Sequence, residues 1–310
     1  MKILTLDGGG VRGFLTACIL ENIEKILNTK DESKKSLGEY FDLIAGTSTG
    51  AIIAGLLAIG KRADDIKTLY QKDIPEIFSK KTKRFFFTPG TKYKKDILKK
   101  KAKEYFGELT FEDVKTHLLV TAVDIVRMEP RLYKSKYNDS NISRSDEKLY
   151  SAILASVSAP TYFEVEMDLK HSTNLIDGGI VANNPSLIAL SDVLSFCEND
   201  MGTSEITLLS VGTGKFSMLP YNHNSLKNTR IKWLLPNAPL VEILLNTQSE
   251  LAEFQTKTFM KQLGYENGYK RINPQLKMKM GLDDAKDINN LLNFSSLDSS
   301  DTNWIIKKLL

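Results

Sequence analysis

Residues 43–60 read LIAGTSTGAIIAGLLAIG, eighteen consecutive positions without a charged side chain. A run of that length lies at the lower edge of what crosses a bilayer, and its reading decides between a membrane protein and a globular one. The pentapeptide GTSTG at 46–50 favours the globular reading. A polar turn bracketed by glycines divides the run into a short strand, FDLIA at 41–45, and a buried helix over about 49–60.

Upstream, KILTL at 2–6 reads as a buried strand, FLTACILENIEKILN at 14–28 carries apolar residues at helical spacing, and a lysine-rich loop follows over 29–38. Strand, helix, strand, helix with short connections predicts an α/β fold, a mostly parallel central sheet flanked by helices. The pattern resumes downstream with a strand at 118–126, a helix near 146–157 and a strand ending at 177. A helix at 186–197 and a strand at 206–212 follow. The charged segment 61–116 reads as a helical, basic cap on the sheet. After 214 the texture changes to a loop (214–228), a long amphipathic helix (238–263) and two terminal helices around FSSLDSSD at 294–301. The expected organisation is a core over 1–214 with a mainly helical C-terminal extension, 215–310, packed on it in the same domain.

The 310 residues, 42% hydrophobic and 26% charged, suffice for a large core. Cys18 and Cys197 lie in apolar segments without CxxC spacing, which argues against a disulfide framework or a zinc site and for a reducing compartment. A polar glycine loop after only six residues leaves no room for a secretory apolar region, so the expected location is cytoplasmic. The net charge of +4 conceals an asymmetry: Lys61–Lys103 holds 15 basic and 5 acidic residues, a net of +10, and the remainder carries −6. Inside this block KKTKRFFFTPG at 80–90 reads either as an anionic-membrane contact or as part of a solvated helix pair with its aromatics in the core. No recognition motif for a nucleic-acid polymer accompanies the charge.

GTSTG fits GxSxG, in which a serine sits on a sharp strand-to-helix turn between Gly46 and Gly50. Ser48 is the candidate nucleophile; the competing reading makes Ser48 or Thr49 a helix N-cap. A nucleophile needs a base, and none of the three histidines, His117, His171 and His223, stands where an α/β-hydrolase order expects it. A carboxylate can substitute. Asp177 closes a strand and opens DGGIVANNP (177–185), at the carboxyl edge of the sheet where Ser48 must also stand. Aspartate ordinarily titrates near ~3.9, so burial has to raise it, or positioning alone has to suffice. The competing reading is a turn-former before Gly178 and Gly179.

The third stretch is DGGGVRG at 7–13, where Gly8, Gly9 and Gly10 can aim their amides at an acyl oxygen bound over Ser48. Arg12 either steadies this loop or meets an anionic headgroup. Gly8, Gly10 and Gly13 also fit the GxGxxG of a dinucleotide site, but that motif expects an acid closing the next strand, and this one closes on Ala45.

In this order, DGGGVRG, GTSTG and DGGIVANNP resemble the motifs of the patatin-like phospholipase family, and the resemblance covers at least residues 1–214. MGLDDAKDINNLL at 280–292 is similar to the start of that family's C-terminal helix. The resemblance implies a three-layer fold and a Ser48–Asp177 dyad without histidine, which hydrolyses acyl esters of phospholipids through an acyl-enzyme. It makes Gly8, Gly9 and Gly10 the oxyanion hole, supported by Arg12, Gly13, Gly46, Gly50, Gly178, Gly179 and Asn183, with Asn183 and Asn184 bonding the Asp177 loop or the substrate. It calls for no metal or cofactor. The implied partners are a phospholipid substrate and a membrane surface, met peripherally at its inner face. Some bacterial members are anti-phage effectors switched on by cyclic oligonucleotides, which gives the 61–103 block a second use in holding an activator's phosphates. The alternatives are a catalytically silent patatin-like binding or storage protein and a dinucleotide-binding oxidoreductase; the oligomeric state stays open.

Overall fold

In a computed structural model, described over residues 1–32, 34–79, 90–136, 146–196, 205–216, 239–277 and 280–310, the uncharged run 43–60 does fold back on itself. It forms strand β2 (Leu43–Thr47) and helix α2 (Thr49–Ala58), both almost wholly buried. Among the described residues no helix is long and apolar enough to cross a membrane.

Strand β1 (Lys2–Leu6) is the middle one of the five parallel strands. It pairs in parallel with β2 on one side and with β7 (Thr207–Val211) on the other. Beyond these, β3 (His117–Asp124) adds in parallel to β2, and β9 (Tyr269–Ile272) to β7, while the short β8 (Lys215–Phe216) pairs apart from this sheet with Gln275–Leu276. The flank beyond β3 is antiparallel: β4 (Glu129–Lys134) and β6 (Thr173–Asp177) both pair with β3, and β5 (Glu166–Asp168) pairs with β6.

Two cores cover the two faces, because side chains alternate along each strand. Leu4, Leu6, Ile44, Leu118, Val120 and Leu209 point to the face covered by α1 (Gly13–Lys30), α2, α3 (Ala63–Ile77), α4 (Asp96–Phe106) and α5 (Leu149–Ser156). Ile3, Leu43, Ala45, Leu119 and Leu208 point to the other, where, after the one-turn α6 (Gly179–Ala182), α7 (Ser186–Phe196) and α8 (Pro239–Gln262) pack through Leu190, Val193 and Met260. Burial on both faces is why these strands read as continuous apolar runs. Each fully buried leucine or isoleucine contributes about 1.5–3 kcal/mol.

The register on β3 positions the site. β4 pairs with residues 119–124 of β3 and β2 with residues 117–121, so they lie on opposite edges. β6 pairs with residues 122–124, which places it on the edge that β2 has just left. β2 ends with Thr47 opposite Thr121, and β6, running the other way, ends with Asp177 opposite Ala122. The two strand ends therefore meet tip to tip. Asp177 stands at the rim expected for it, but at the end of an antiparallel strand, because β6 enters from beyond the rim.

Three further differences from the sequence reading have local causes. The strand expected to reach 126 stops at Asp124, whose Oδ1 accepts the N–H groups of Val126 and Arg127 at 3.0 and 2.9 Å and turns the chain into β4. The C-terminal extension supplies β9 to the main sheet and closes with α9 (Ser299–Leu309) after a 3₁₀ turn at Ile288–Phe294, which replaces the expected first terminal helix. Within the basic block, the described residues form α3 and α4. Residues 80–89, Cys197 and His223 lie outside the described residues.

Candidate active site

Ser48 occupies the turn between β2 and α2 with φ +54° and ψ −122°. A non-glycine residue rarely holds a positive φ, and the strain fits a sharp strand-to-helix elbow. The elbow lies hard against β1: a Cβ on Gly50 would stand 2.2 Å from the Leu6 carbonyl oxygen. The hydroxyls of Ser48 and Thr49 do not cap α2. Ser48 Oγ donates to Asp177 Oδ2 at 2.6 Å, and Thr49 Oγ1 shares a 2.5 Å hydrogen bond with the Tyr70 hydroxyl. The Ser48 N–H donates to Ser156 Oγ at 2.9 Å, which ties the elbow to the end of α5.

Asp177 is only 6% exposed, and its two oxygens have different tasks. Oδ1 accepts the Gly179 N–H at 2.7 Å and holds the turn, while Oδ2 faces Ser48. The turn-former reading and the site reading are thus met by one side chain. Its own N–H donates to the Ser158 carbonyl at 3.1 Å, and the Gly178 N–H donates to the Ser156 carbonyl at 3.3 Å. Burial pushes the carboxyl up to about 6, outweighing the bonds from Ser48 and Gly179 that pull it down.

The glycine loop passes beside this pair. The Gly8 N–H donates to the Asn183 carbonyl at 2.9 Å, so the expected trio of amides is reduced. Those of Gly9 and Gly10 make no hydrogen bond among the described residues, and both residues line a cavity with Ser48. Gly10 takes φ +59°, and a Cβ there would meet the Leu282 carbonyl oxygen at 2.0 Å. That same oxygen accepts the Val11 N–H at 2.9 Å. Of the two readings of Arg12, burial selects loop support: it is 3% exposed, lies 5.2 Å over the Phe216 ring, and its Nε donates to the Gly9 carbonyl at 3.4 Å. Gly13 opens α1 against Thr49 and Tyr70, and Gly46 sits within β2 against Gly50.

Asn183 joins three elements. Its carbonyl holds Gly8, its N–H donates to Gln248 Oε1 at 2.6 Å, and its Nδ2 donates to Ser249 Oγ at 2.9 Å. Asn184 Nδ2 reaches the Ser249 carbonyl at 3.3 Å. Both asparagines therefore bond the Asp177 loop to α8.

Ser48 and Asp177 open onto a cavity of about 160 Å³ whose walls include Ile52, Ile74, Phe78, Leu98, Phe163 and Leu245. The described part of the basic block supplies several of these apolar side chains, and cations of the block pair outside: Lys67 with Glu21 at 2.8 Å, Lys101 with Asp73 at 2.9 Å and Lys92 with Asp283 at 2.5 Å. Among the described residues, which include His117 and His171, no histidine bonds Ser48 or Asp177. His171 is held by Asp168 at 2.8 Å, and burial lowers the pKa of His117, which lies 3.4 Å from Ser135 Oγ.

Sequence reading did not reach four supports of the site. Ser156 and Gln248 carry no motif. Arg271 grips both oxygens of buried Asp7 at 2.8 and 2.5 Å and also donates to Ser210 Oγ at 2.8 Å, from a strand that was not expected. Leu282 falls in the stretch 280–292, and nothing in its sequence signals the contact of its carbonyl with the glycine loop.

A family model described as "Patatin-like phospholipase" matches residues 4–190. A "cGAMP-activated phospholipase" of Vibrio cholerae is 35% identical over 227 residues, covering 69% of this chain and 64% of that protein. A protein of the same description from Escherichia coli is 33% identical over 220 residues, covering 69% and 62%. The chain thus spans less than two thirds of the length of these two relatives. Among solved structures, VipD from Legionella pneumophila superposes with a TM-score of 0.42 at 12% identity, over 94% of this chain and 66% of that one.

Proposed function

The chain belongs to the patatin-like phospholipase family, and on that premise we propose that it is a serine acyl hydrolase cleaving fatty-acyl esters of phospholipids, with Ser48 as nucleophile and Asp177 as its base. The observation that carries this reading is the 2.6 Å hydrogen bond from Ser48 Oγ to a buried carboxylate raised to about 6. A base with that pKa is ionised at neutral pH yet far more basic than an ordinary aspartate.

Asp177 takes the Ser48 proton as Oγ bonds to the ester carbonyl carbon, and the carbonyl electron pair moves onto oxygen. The amides of Gly9 and Gly10 are the donors available to that oxyanion. Collapse expels the lysolipid alcohol, which takes the proton from Asp177, and leaves the acyl chain on Ser48. Water then gives a proton to Asp177 and attacks the acyl carbon. Ser48 departs with that proton and the fatty acid is released. The apolar cavity suits the acyl chain during both steps. Arg271, Gln248 and Leu282 hold the glycine and Asp177 loops, so 1–214 and 215–310 act as one functional unit.

The test is turnover of a short-chain thioester and of phospholipid by wild type, Ser48→Ala and Asp177→Asn. Both variants are expected to lose at least ~10³-fold in kcat with the circular dichroism spectrum kept. Unchanged turnover in either removes its residue from the mechanism, and a wild type inert on every ester leaves the silent binding-protein reading standing.

A second reading concerns control. The two relatives at 35% and 33% identity are both described as cGAMP-activated, which favours a cyclic-dinucleotide activator for this chain as well. Purified protein is expected to be silent on phospholipid until cGAMP is added; full activity without it refutes this. We assign the protein to the cytoplasm, meeting the inner face of the membrane peripherally. Fractionation of expressing cells checks that assignment.

A further inference from the structure

We propose that α8 is the surface by which this protein seats itself on a lipid bilayer, an inference resting on the phospholipase reading above. The inner side of the helix is accounted for: Ser249, Ala252, Thr256 and Met260 are buried, with Ser249 and Thr256 bonded to Asn183, Asn184 and Ser186. The outer side is not. Val241 is 42% exposed, Leu244 57%, Leu251 55%, Phe254 67% and Phe259 49%. At roughly 100° per residue, Val241, Leu244 and Leu251 fall within about 80° of arc, so they form a stripe rather than a scatter. Apolar stripes of this kind on an otherwise solvated helix mark interaction surfaces.

The cavity identifies the occupant. Val241 is both exposed and part of the cavity wall, and so is Ile180 at 51% exposure. Two such residues can only stand at the mouth. The apolar surface therefore runs from beside Ser48, past Val241, to Leu244 one turn on and Leu251 beyond it. An acyl chain drawn from a bilayer along that path stays out of water throughout, whereas a protein seated on the stripe would obstruct the mouth. Charge specifies the kind of lipid contact. Residues 239–262 carry three glutamates and two lysines, so the helix has no cationic excess to attract anionic headgroups. Seating is by apolar insertion, on zwitterionic lipid, with weak dependence on salt. This lipid contact is distinct from the one read at 80–90, of which residues 80–89 lie outside the described residues.

The test uses the full chain, with and without cGAMP, in two independent readouts: sedimentation with phosphatidylcholine vesicles, and turnover of a water-soluble short-chain thioester. The variant Leu244→Ser/Leu251→Ser/Phe254→Ser avoids the residues that line the cavity. It is expected to lower vesicle partitioning at least ~10-fold while soluble turnover stays within about twofold. A second variant, Met128→Ser/Leu169→Ser, removes exposed apolar side chains on the β3–β4 and β5–β6 connections, which do not line the cavity, and should change neither readout. The proposal is overturned if the triple variant partitions like wild type, if the Met128/Leu169 variant takes the loss instead, or if wild type is a dimer that the triple variant dissociates. Because sedimentation does not depend on turnover, α8-dependent binding without hydrolysis upholds the surface and refutes the catalytic reading. Hydrolysis of the soluble ester without α8-dependent binding does the reverse.

Discussion

Replacing Asp177 by asparagine is expected to silence the protein and to stabilise it at the same time. In the unfolded chain this carboxyl titrates at its ordinary 3.8; in the fold, burial carries it to about 6. Between those values the folded state holds a proton that the unfolded state has released, so wild-type stability falls as pH rises through the window. Below about 4 both states are protonated and there is no penalty; above about 6 the penalty is complete. Roughly two pKa units at about 1.4 kcal/mol each put it near 3 kcal/mol. Asparagine has no charge to bury, and its Oδ1 can still accept the Gly179 N–H, but the Ser48 hydroxyl loses its acceptor. That loss returns ~1 kcal/mol, so Asp177→Asn should gain about 2 kcal/mol at pH 8, or roughly 3 °C in Tm. Urea unfolding of both proteins at pH 8, 7, 6, 5 and 4 reads the difference directly. The gain should hold above pH 6, shrink between 6 and 4, and vanish or reverse below. A variant less stable than wild type at pH 8, or a difference that ignores pH, refutes the account of Asp177 as a buried and raised carboxylate. Wild-type kcat/KM should rise with pH to a plateau through the same region, because only the ionised form is a base.

Arg271→Met leaves Asp7 buried without its bidentate partner and should cost about 3–5 kcal/mol in urea unfolding, with Arg271→Lys recovering part of it. Gln248→Ala removes the acceptor for the Asn183 N–H and should lower kcat about tenfold with KM nearly unchanged, because it acts on loop position rather than on substrate. Steady-state kinetics with the soluble ester separates the two constants. Gly50→Ala drives a Cβ to 2.2 Å from the Leu6 carbonyl oxygen; about 1–3 kcal/mol of stability should go, and turnover should fall with it as the elbow shifts. Thermal melts beside the ester assay check both.

The parallel centre was legible because its strands are buried on both faces: KILTL, FDLIA and ITLLSVG announce themselves as apolar runs between turn signals. The missed strands are those whose residues answer to distant partners. In β9, YKRI places two cations in a row, and only the fold supplies the reason: Lys270 meets Asp301 at 2.6 Å and Arg271 meets Asp7. In β4, EPRLYK is half solvated, so its pattern is weak. The sense of β6 was illegible because apolar spacing says which face a strand buries, not which way it runs. Local chemistry singles out Ser48 and Asp177 as candidates, and the fold brings them within hydrogen-bond distance. That the Gly8 amide is engaged depends on where the Asn183 carbonyl lies, which no spacing within DGGGVRG encodes.

The meeting of β2 and β6 along one edge of β3 has a temporal side. The seryl oxygen and its carboxylate are 129 positions apart in the chain, and the loop beside them is fastened by Arg271 and Leu282. A polypeptide still being translated carries Ser48 long before it carries Asp177, Arg271 and Leu282. Under the proposed mechanism the emerging chain holds its nucleophile before its base and before the residues that fasten the glycine loop, so hydrolysis waits on positions as distant as Leu282.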